Sequence, residues 1–293
     1  MDHSEFRQMT LDNMKCISKG GTGECFQIDE DKILKLYYEG MPVERAVLEK
    51  ECAREAFIIG VPTAISYEKV QVGNRYGVIY EKLSGKTLSQ AIKDNPERIG
   101  EYADKYSAIA KSLHSVKGDI KRFDSSTTII RKALKNIDYL SDRALNNLNS
   151  YLDMLDGYDR YVHGDFHPNN IIVSGDELTL IDMGGFSVGC PMFDLATTYF
   201  CMFLSPDAVS GEVSPFTGLT RKQHADFWNA FSCSYFSASS FDEAVKKNDD
   251  AAMIKDIALL KLMRFERLYR SYVKDDSYYE KIKEDARNRW EKQ

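Results

Sequence analysis

The chain has 293 residues and a formal net charge of −6, with 43% hydrophobic and 29% charged residues. That length and balance suit one large domain or two lobes with real cores, and they exclude a disordered or fibrous chain. No apolar run approaches the roughly 18–20 residues of a membrane helix, and the acidic balance offers no basic stripe for nucleic acid. The opening MDHSEFRQMT lacks the basic start and apolar run of a secretory signal. Six scattered cysteines, with no C-x-x-C pair and no metal-ligand spacing, read as reduced thiols. These features point to a cytoplasmic protein with no membrane or nucleic-acid partner, and nothing marks a protein partner.

The first eighty residues predict strands. MKCISKG, ECFQID and DKILKLYY are short runs with β-branched or aromatic residues between Gly and acidic turns. PVERAVLEKECAREAFIIG predicts a helix from Pro42 to a stop at Gly60, with apolar positions at 43, 47, 48, 52, 56 and 57. AISYEKVQV and RYGVIYEKL predict a hairpin around Gly73-Asn74. Past Thr87 the texture turns helical. ERIGEYADKYSAIAKSLHSV keeps apolar residues at 102, 106, 109, 110 and 113, and a polar helical tract is expected from about Ser125 to Leu155. Two short strands follow, Asn170 to Val173 and Leu178 to Asp182, and everything after Pro191 reads as helix.

Several stretches carry chemistry. In KGGTGECFQID, Gly20, Gly21 and Gly23 would let backbone N–H groups approach phosphate oxygens, although a glycine-rich hairpin turn has the same composition. No Gly-Lys-Ser/Thr follows, so it is not a Walker A loop. Lys35 lies amid apolar neighbours in KILKLYY, and such a lysine is either edge-exposed or paired. The next helix offers partners, with Glu51 expected and Glu49 and Glu55 as competitors. HGDFHPNN supplies Asp165 to orient an attacking hydroxyl and Asn170 to offer an amide oxygen to Mg²⁺. His163 and His167 at i,i+4 would suit zinc only on a helix, which Gly164 and Pro168 oppose. IDMGG ends an apolar strand with Asp182, a carboxylate that is costly to bury unless it meets a cation.

Taken in this order, these residues resemble the protein-kinase-like superfamily, and within it the aminoglycoside phosphotransferase and choline kinase branch of small-molecule phosphotransferases. The resemblance spans nearly the whole chain and rests most on HGDFHPNN and IDMGG together. It implies an α+β, two-lobe protein-kinase-like fold. A small antiparallel β-sheet lobe with one long helix would occupy residues 1–81, with a hinge at 82–86. A larger, mostly helical lobe at 87–293 would carry the catalytic loop and substrate pocket. The resemblance further implies Gly20, Gly21, Thr22 and Gly23 as the nucleotide loop, and Lys35 with Glu51 as the ion pair on the phosphates of ATP or GTP. Asp165 would be the catalytic Asp, Asn170 and Asp182 the Mg²⁺ ligands, and Asp194 would brace the catalytic loop with His163. Aligned on it, Glu81 offers its carbonyl and Leu83 its N–H to the purine, and Tyr80 stands at the back of the base pocket, where a phenol would crowd adenine and favour guanine. Two departures stand out. Asn169 replaces a frequent glycine and is expected to take its left-handed conformation, and Phe26 stands near the place of the nucleotide loop's third glycine.

Only eleven residues separate Asp182 from Asp194, too few for a peptide-docking segment, so the acceptor is expected to be a small-molecule hydroxyl. Its charge is open at this point. From Ser141 to Thr220 there are eleven Asp/Glu against two Arg, and aromatics in FWNAFSCSYFSASSF would suit a cationic acceptor, aminoglycoside-like or choline-like. Arg264, Arg267 and Arg270 would instead suit an anionic group. The expected activity is nucleotide- and Mg-dependent transfer of a γ-phosphoryl group to that hydroxyl. The alternatives are a nucleotide-binding regulatory module without turnover and a nucleotidyl transferase.

Overall fold

The computed structural model describes residues 6–269 and 276–291, so Arg270 lies outside the described residues. The chain divides into two compact units, one of Met1–Thr87 with Asn170–Phe186 and the other of Leu88–Asn169 with Ser187–Gln293.

The first unit is built on a six-stranded sheet of β1 (Arg7–Gln8), β2 (Lys15–Lys19), β3 (Gly23–Gln27), β4 (Lys32–Tyr37), β5 (Ser66–Val72) and β6 (Arg75–Glu81). Their order is β1-β5-β6-β4-β3-β2, antiparallel except where β1 runs parallel to β5. One helix, α1 (Val43–Ile58), interrupts the strands. Alternation along β4 divides its side chains between the two faces of the sheet. Leu34 and Leu36 enter a core with Phe26, Val70 and Ile79, while Lys35 and Tyr37 reach α1 on the other face. The expected hairpin forms with a two-residue turn, since Val72 pairs with Arg75.

A second sheet completes this unit. Strand β7 (Lys86–Thr87) pairs with β9 (Ile171–Ser174), which pairs in turn with β10 (Glu177–Leu180). Gly85 makes this possible: its φ is +130°, and a Cβ there would lie 2.1 Å from the Val173 carbonyl oxygen. Only glycine accepts both conditions.

The second unit is mostly helical: α2 (Leu88–Asp94), α3 (Ile99–Ser115), α4 (Ser126–Ala133), α5 (Asp142–Leu155), α6 (Met192–Tyr199), α7 (Pro206–Val209), α8 (Arg221–Phe236), α9 (Phe241–Lys247), α10 (Asp249–Tyr269) and α11 (Asp276–Trp290). The helical tract expected from Ser125 to Leu155 is two helices, parted near Asn136, whose φ of +64° no helix continues. Ser125 and Ser141 cap their N-termini. A two-stranded ribbon of β8 (Arg160–Val162) and β11 (Ser187–Gly189) was not expected; three-residue strands are too short to show alternation. Among the described residues no helix is long and apolar enough to cross a membrane.

Gly85→Ala must either break the β7–β9 pairing or hold alanine in a disfavoured backbone region. A loss of about 2–3 kcal/mol is expected, read as a lower urea midpoint at unchanged m-value.

Candidate active site

Lys35 is the centre of the first unit's charged cluster. Its side chain is 15% exposed, and its Nζ donates to Glu49 Oε1 at 2.7 Å and to Asp182 Oδ1 at 2.8 Å. Burial works against the ammonium, but the two carboxylates outweigh it and hold the Lys35 pKa above its ordinary value. Glu49 also accepts hydrogen bonds from the hydroxyls of Tyr37 and, at 3.0 Å, Tyr80.

The expectation that Lys35 pairs with Glu51 is corrected here. Glu51 has a side chain 42% exposed and stands 3.7 Å from Arg54 on the outer surface of α1. The helix buries Ala46, Glu49, Cys52, Ala53 and Ala56, and leaves Leu48 and Phe57 half exposed. Small residues allow close approach to the sheet, so its buried stripe follows the alanines and not the large apolar residues. Glu51 lies two residues, about 200°, round the helix from Glu49.

Asp182 has a left-handed backbone, φ 62° and ψ 60°, and its side chain is 44% exposed. Asp tolerates this region better than most residues, but it still carries a cost, and such strain gathers at functional positions. Asn170 and Asp182 flank the open end of the β9–β10 hairpin: Ile171 pairs with Leu180, and the Ile181 N–H donates to the Asn170 carbonyl at 3.0 Å. Among the described residues no three His, Cys, Asp or Glu gather around a metal position. An amide and a carboxylate oxygen at one hairpin end are the donors Mg²⁺ takes from protein when phosphates and water complete its shell.

The glycine-rich stretch forms the β2–β3 turn, with the Gly20 N–H donating to the Gly23 carbonyl at 2.8 Å and the Thr22 carbonyl accepting from Tyr38 at 3.0 Å. Gly23 sits against β4, where a Cβ would lie 2.5 Å from the Leu36 carbonyl oxygen, while Gly21 faces open space. Tyr80 lies within β6 opposite Ile33, with its hydroxyl on Glu49. Glu81 ends that strand and exchanges hydrogen bonds with Ile65, through its own N–H at 2.9 Å and its carboxylate at 3.3 Å. Leu83 follows in the half-buried connector.

In the second unit, Asp165 stands on the loop after β8. This loop is held from beneath by Asp194, which is fully buried on α6. Its carboxylate accepts the N–H groups of His163 at 2.7 Å and Gly164 at 2.8 Å, and meets His114 Nε2 at 3.0 Å. Burial alone would raise its pKa; His114 and then His163, through its ring and its backbone N–H, reverse that and hold it below the ordinary value. His163 is wholly buried, and its Nδ1 accepts the Asp165 N–H at 3.2 Å. Gly164, at φ +80°, turns the chain so that Asp165 projects outward, its side chain 52% exposed. His167 Nε2 stands 3.4 Å from Asp165 Oδ2. Partial burial pushes the Asp165 pKa up, but His167, His163 and Lys261 outweigh it, so the carboxyl is held well below its usual range. Asn169 is not left-handed as expected: it lies in a 3₁₀ turn, Pro168–Asn170, and its amide donates to the Phe216 carbonyl at 2.7 Å.

Lys261 was missed in the sequence. It lies on α10 and its Nζ donates to the Gly164 carbonyl at 3.2 Å, directly behind Asp165. Its signal was present in LLKLM, a lysine within an apolar run, which is the pattern that marks Lys35.

Two outcomes follow from these networks. Glu49→Gln leaves Lys35 short of a buried counter-charge and is expected to cost roughly 1–3 kcal/mol in a urea titration, while Glu51→Gln should change stability by less than about 0.5 kcal/mol. Asp194→Asn should cost about 2–4 kcal/mol at pH 7. Because the folded pKa of Asp194 is depressed, its contribution is full above the ordinary value of 3.8 and disappears as the pH falls below it. The gap between wild type and variant should therefore close in acid, and a gap that widens there would contradict the assignment.

A profile of the phosphotransferase enzyme family matches residues 26–214, which include Lys35, Glu49, Asp165, Asn170, Asp182 and Asp194. A comparison with curated protein sequences gives no match. Among solved structures, the chain is similar to an amicoumacin kinase, hAmiN, in complex with AMP-PNP, Ca²⁺ and Ami (TM-score 0.62, 16% identity, 97% of this chain and 91% of that one). It is also similar to ADP-bound aminoglycoside phosphotransferase APH(2'')-Ib (0.56, 18%, 94% and 92%) and to choline kinase from Cryptosporidium parvum Iowa II (0.54, 14%, 94% and 88%). These likenesses give it the α+β, protein-kinase-like fold of small-molecule kinases, and with the family profile covering most of its length, the chain belongs to the phosphotransferase enzyme family.

Proposed function

We propose that this phosphotransferase moves the γ-phosphoryl group of ATP or GTP, with Mg²⁺, to a hydroxyl of a small molecule. The observation that carries this reading is the Lys35 ammonium shared by Glu49 and Asp182. One lysine and two carboxylates leave the cluster with one excess negative charge, and the half-exposed Asp182 is the side chain from which a cation and phosphates can be held. The nucleotide and Ca²⁺ named for similar structures support the same reading.

Lys35 would steady the phosphates, and the backbone N–H groups of Gly20, Gly21, Thr22 and Gly23 would cover them. Asn170 and Asp182 would hold Mg²⁺, which when bound supplies charge neutralisation on the phosphate oxygens. The Glu81 carbonyl and Leu83 N–H would meet the purine, with the Tyr80 ring limiting the depth of the base site and favouring guanine. Asp165 would accept a hydrogen bond from the acceptor hydroxyl. A carboxyl held this far below its usual pKa is a weak base, so it orients the nucleophile and takes the proton late. That suits phosphoryl transfer, whose loose transition state asks for alignment and charge balance more than for early proton abstraction.

Asp165→Ala should lower turnover by roughly 10²–10⁴-fold with little change in nucleotide affinity, and Asp182→Ala should abolish Mg-dependent nucleotide binding. The measurement is nucleoside diphosphate release and calorimetric affinity, with ATP and GTP in parallel. Equal nucleotide affinity in wild type and both variants would overturn this division of roles, and release of pyrophosphate would replace it with nucleotidyl transfer. A GTP affinity no better than that for ATP removes the part given to Tyr80.

A further inference from the structure

Resting on the phosphotransfer reading above, we infer that the acceptor of this enzyme carries an anionic group, a carboxylate or a phosphate, which Lys261 and Arg264 of α10 receive beside Asp165.

Lys261 and Arg264 are three residues apart on one helix, so they share a face. Lys261 is fixed by the Gly164 carbonyl at 3.2 Å and by the Phe193 ring, whose centroid lies 5.9 Å from its Nζ. Arg264 is half buried, and its Nε is enclosed without a hydrogen-bond acceptor among the described residues. A guanidinium in that state is unfavourable until an acceptor arrives, and its planar fork matches carboxylate and phosphate oxygens. Burial and then Arg264 push the Lys261 pKa down to about 8, despite the pull of Asp165 and Asp194. Lys261 and Arg264 thus repel each other along one helix face, and an anion received by both would relieve that repulsion.

Several of the carboxylates that suggested a cationic acceptor are already engaged within this unit, and Asp176, Glu177 and Asp182 belong to the other unit. Asp153 and Asp156 pair with Arg131, and Asp159 pairs with Lys117 and Arg160. Asp194 is satisfied by His114 and two backbone N–H groups. Asp207, whose charge reaches Cys201 along with those of Asp165 and Lys261, has a partner of its own. Asp165, which also meets His167, has Lys261 beside it, and Arg264 lies one helical turn beyond Lys261 and acts on it. A polycation would meet Lys261 and Arg264 at the same moment as Asp165. An acceptor with a hydroxyl and an acidic group some ångströms apart satisfies both.

The test uses the full chain with Mg²⁺ and ATP or GTP. Diphosphate release is measured with gluconate and glucose 6-phosphate as hydroxylated anions, glucose as the neutral control, and kanamycin and choline as cations. At least one anion is expected to raise release above the acceptor-free rate, with glucose, kanamycin and choline inactive; whether gluconate or the phosphate ester acts separates the two kinds of anion. In Arg264→Gln the KM for that anion should rise about tenfold or more, with kcat within about threefold, and Arg264→Lys should recover part of the loss. Lys261→Gln supplies an independent variant with the same expected direction. Stimulation by kanamycin or choline with both anions silent, no stimulation by either anion, or an unchanged anion KM in both glutamine variants would each overturn the inference. In these cases the acceptor-free release keeps the two readings apart. If it still depends on Asp165 and Mg²⁺, phosphotransfer stands and the anionic acceptor alone fails; if it depends on neither, both fail.

Discussion

An ammonium group taken out of water has to be neutralised where it lies, and Lys35 is neutralised by two carboxylates from distant parts of the sequence. Desolvating each ion costs several kcal/mol, which the contacts at 2.7 and 2.8 Å offset only while both carboxylates stay in place. The arrangement therefore fixes more than a local contact. It ties β4 to α1 through Glu49 and to the end of the β9–β10 hairpin through Asp182, and with the β7–β9 pairing it joins residues 170–186 to the first unit. The left-handed backbone at Asp182 is tolerable in that setting, since relaxing it would withdraw one of the two counter-charges.

The second unit solves a similar problem with the opposite sign. Asp194 is a carboxylate with no exposure, satisfied by two backbone N–H groups and an imidazole. Those two amides belong to the residues just before Asp165. The buried anion thus sets the shape of the loop that presents the exposed one. His114 continues outward to the Tyr235 hydroxyl at 2.8 Å, so the loop is also fastened to α3 and α8. Phe166 packs the loop from inside, stacked on Tyr106 at 4.2 Å between ring centres.

Much of this could be read before any coordinates. HGDFHPNN and IDMGG are contiguous, and each places a polar residue where an apolar strand ends, a pattern that burial alone does not explain. Lys35 was visible as a lysine amid apolar neighbours within a strand. Glu49 was legible only as a competitor, because spacing from the helix end at Gly60 favours Glu51 and does not reveal which face of α1 is buried. The helix packs on alanines, and its largest apolar side chains face outward. Asn169 was expected to imitate glycine, but the backbone there is a 3₁₀ turn, and the loop's one left-handed residue is Gly164. LLKLM repeats the signal of KILKLYY, a lysine within an apolar run, but it lies on a helix whose arginines offer the more conspicuous charge. The membership of residues 170–186 in the first unit is non-local, and no local pattern carries that information.

Glu49 has a further consequence. Its two oxygens receive the Lys35 ammonium and the hydroxyls of Tyr37 and Tyr80, three donors from β4 and β6 converging on one side chain of α1. To swing that helix outward, all three must be given up together, in a place where water has little access to replace them. An ion pair held by lysine alone can serve as a hinge, opening and closing with modest bias. Clamped by two phenols as well, the helix is held to the sheet at three points on one side chain, which favours a fixed position over a swinging one.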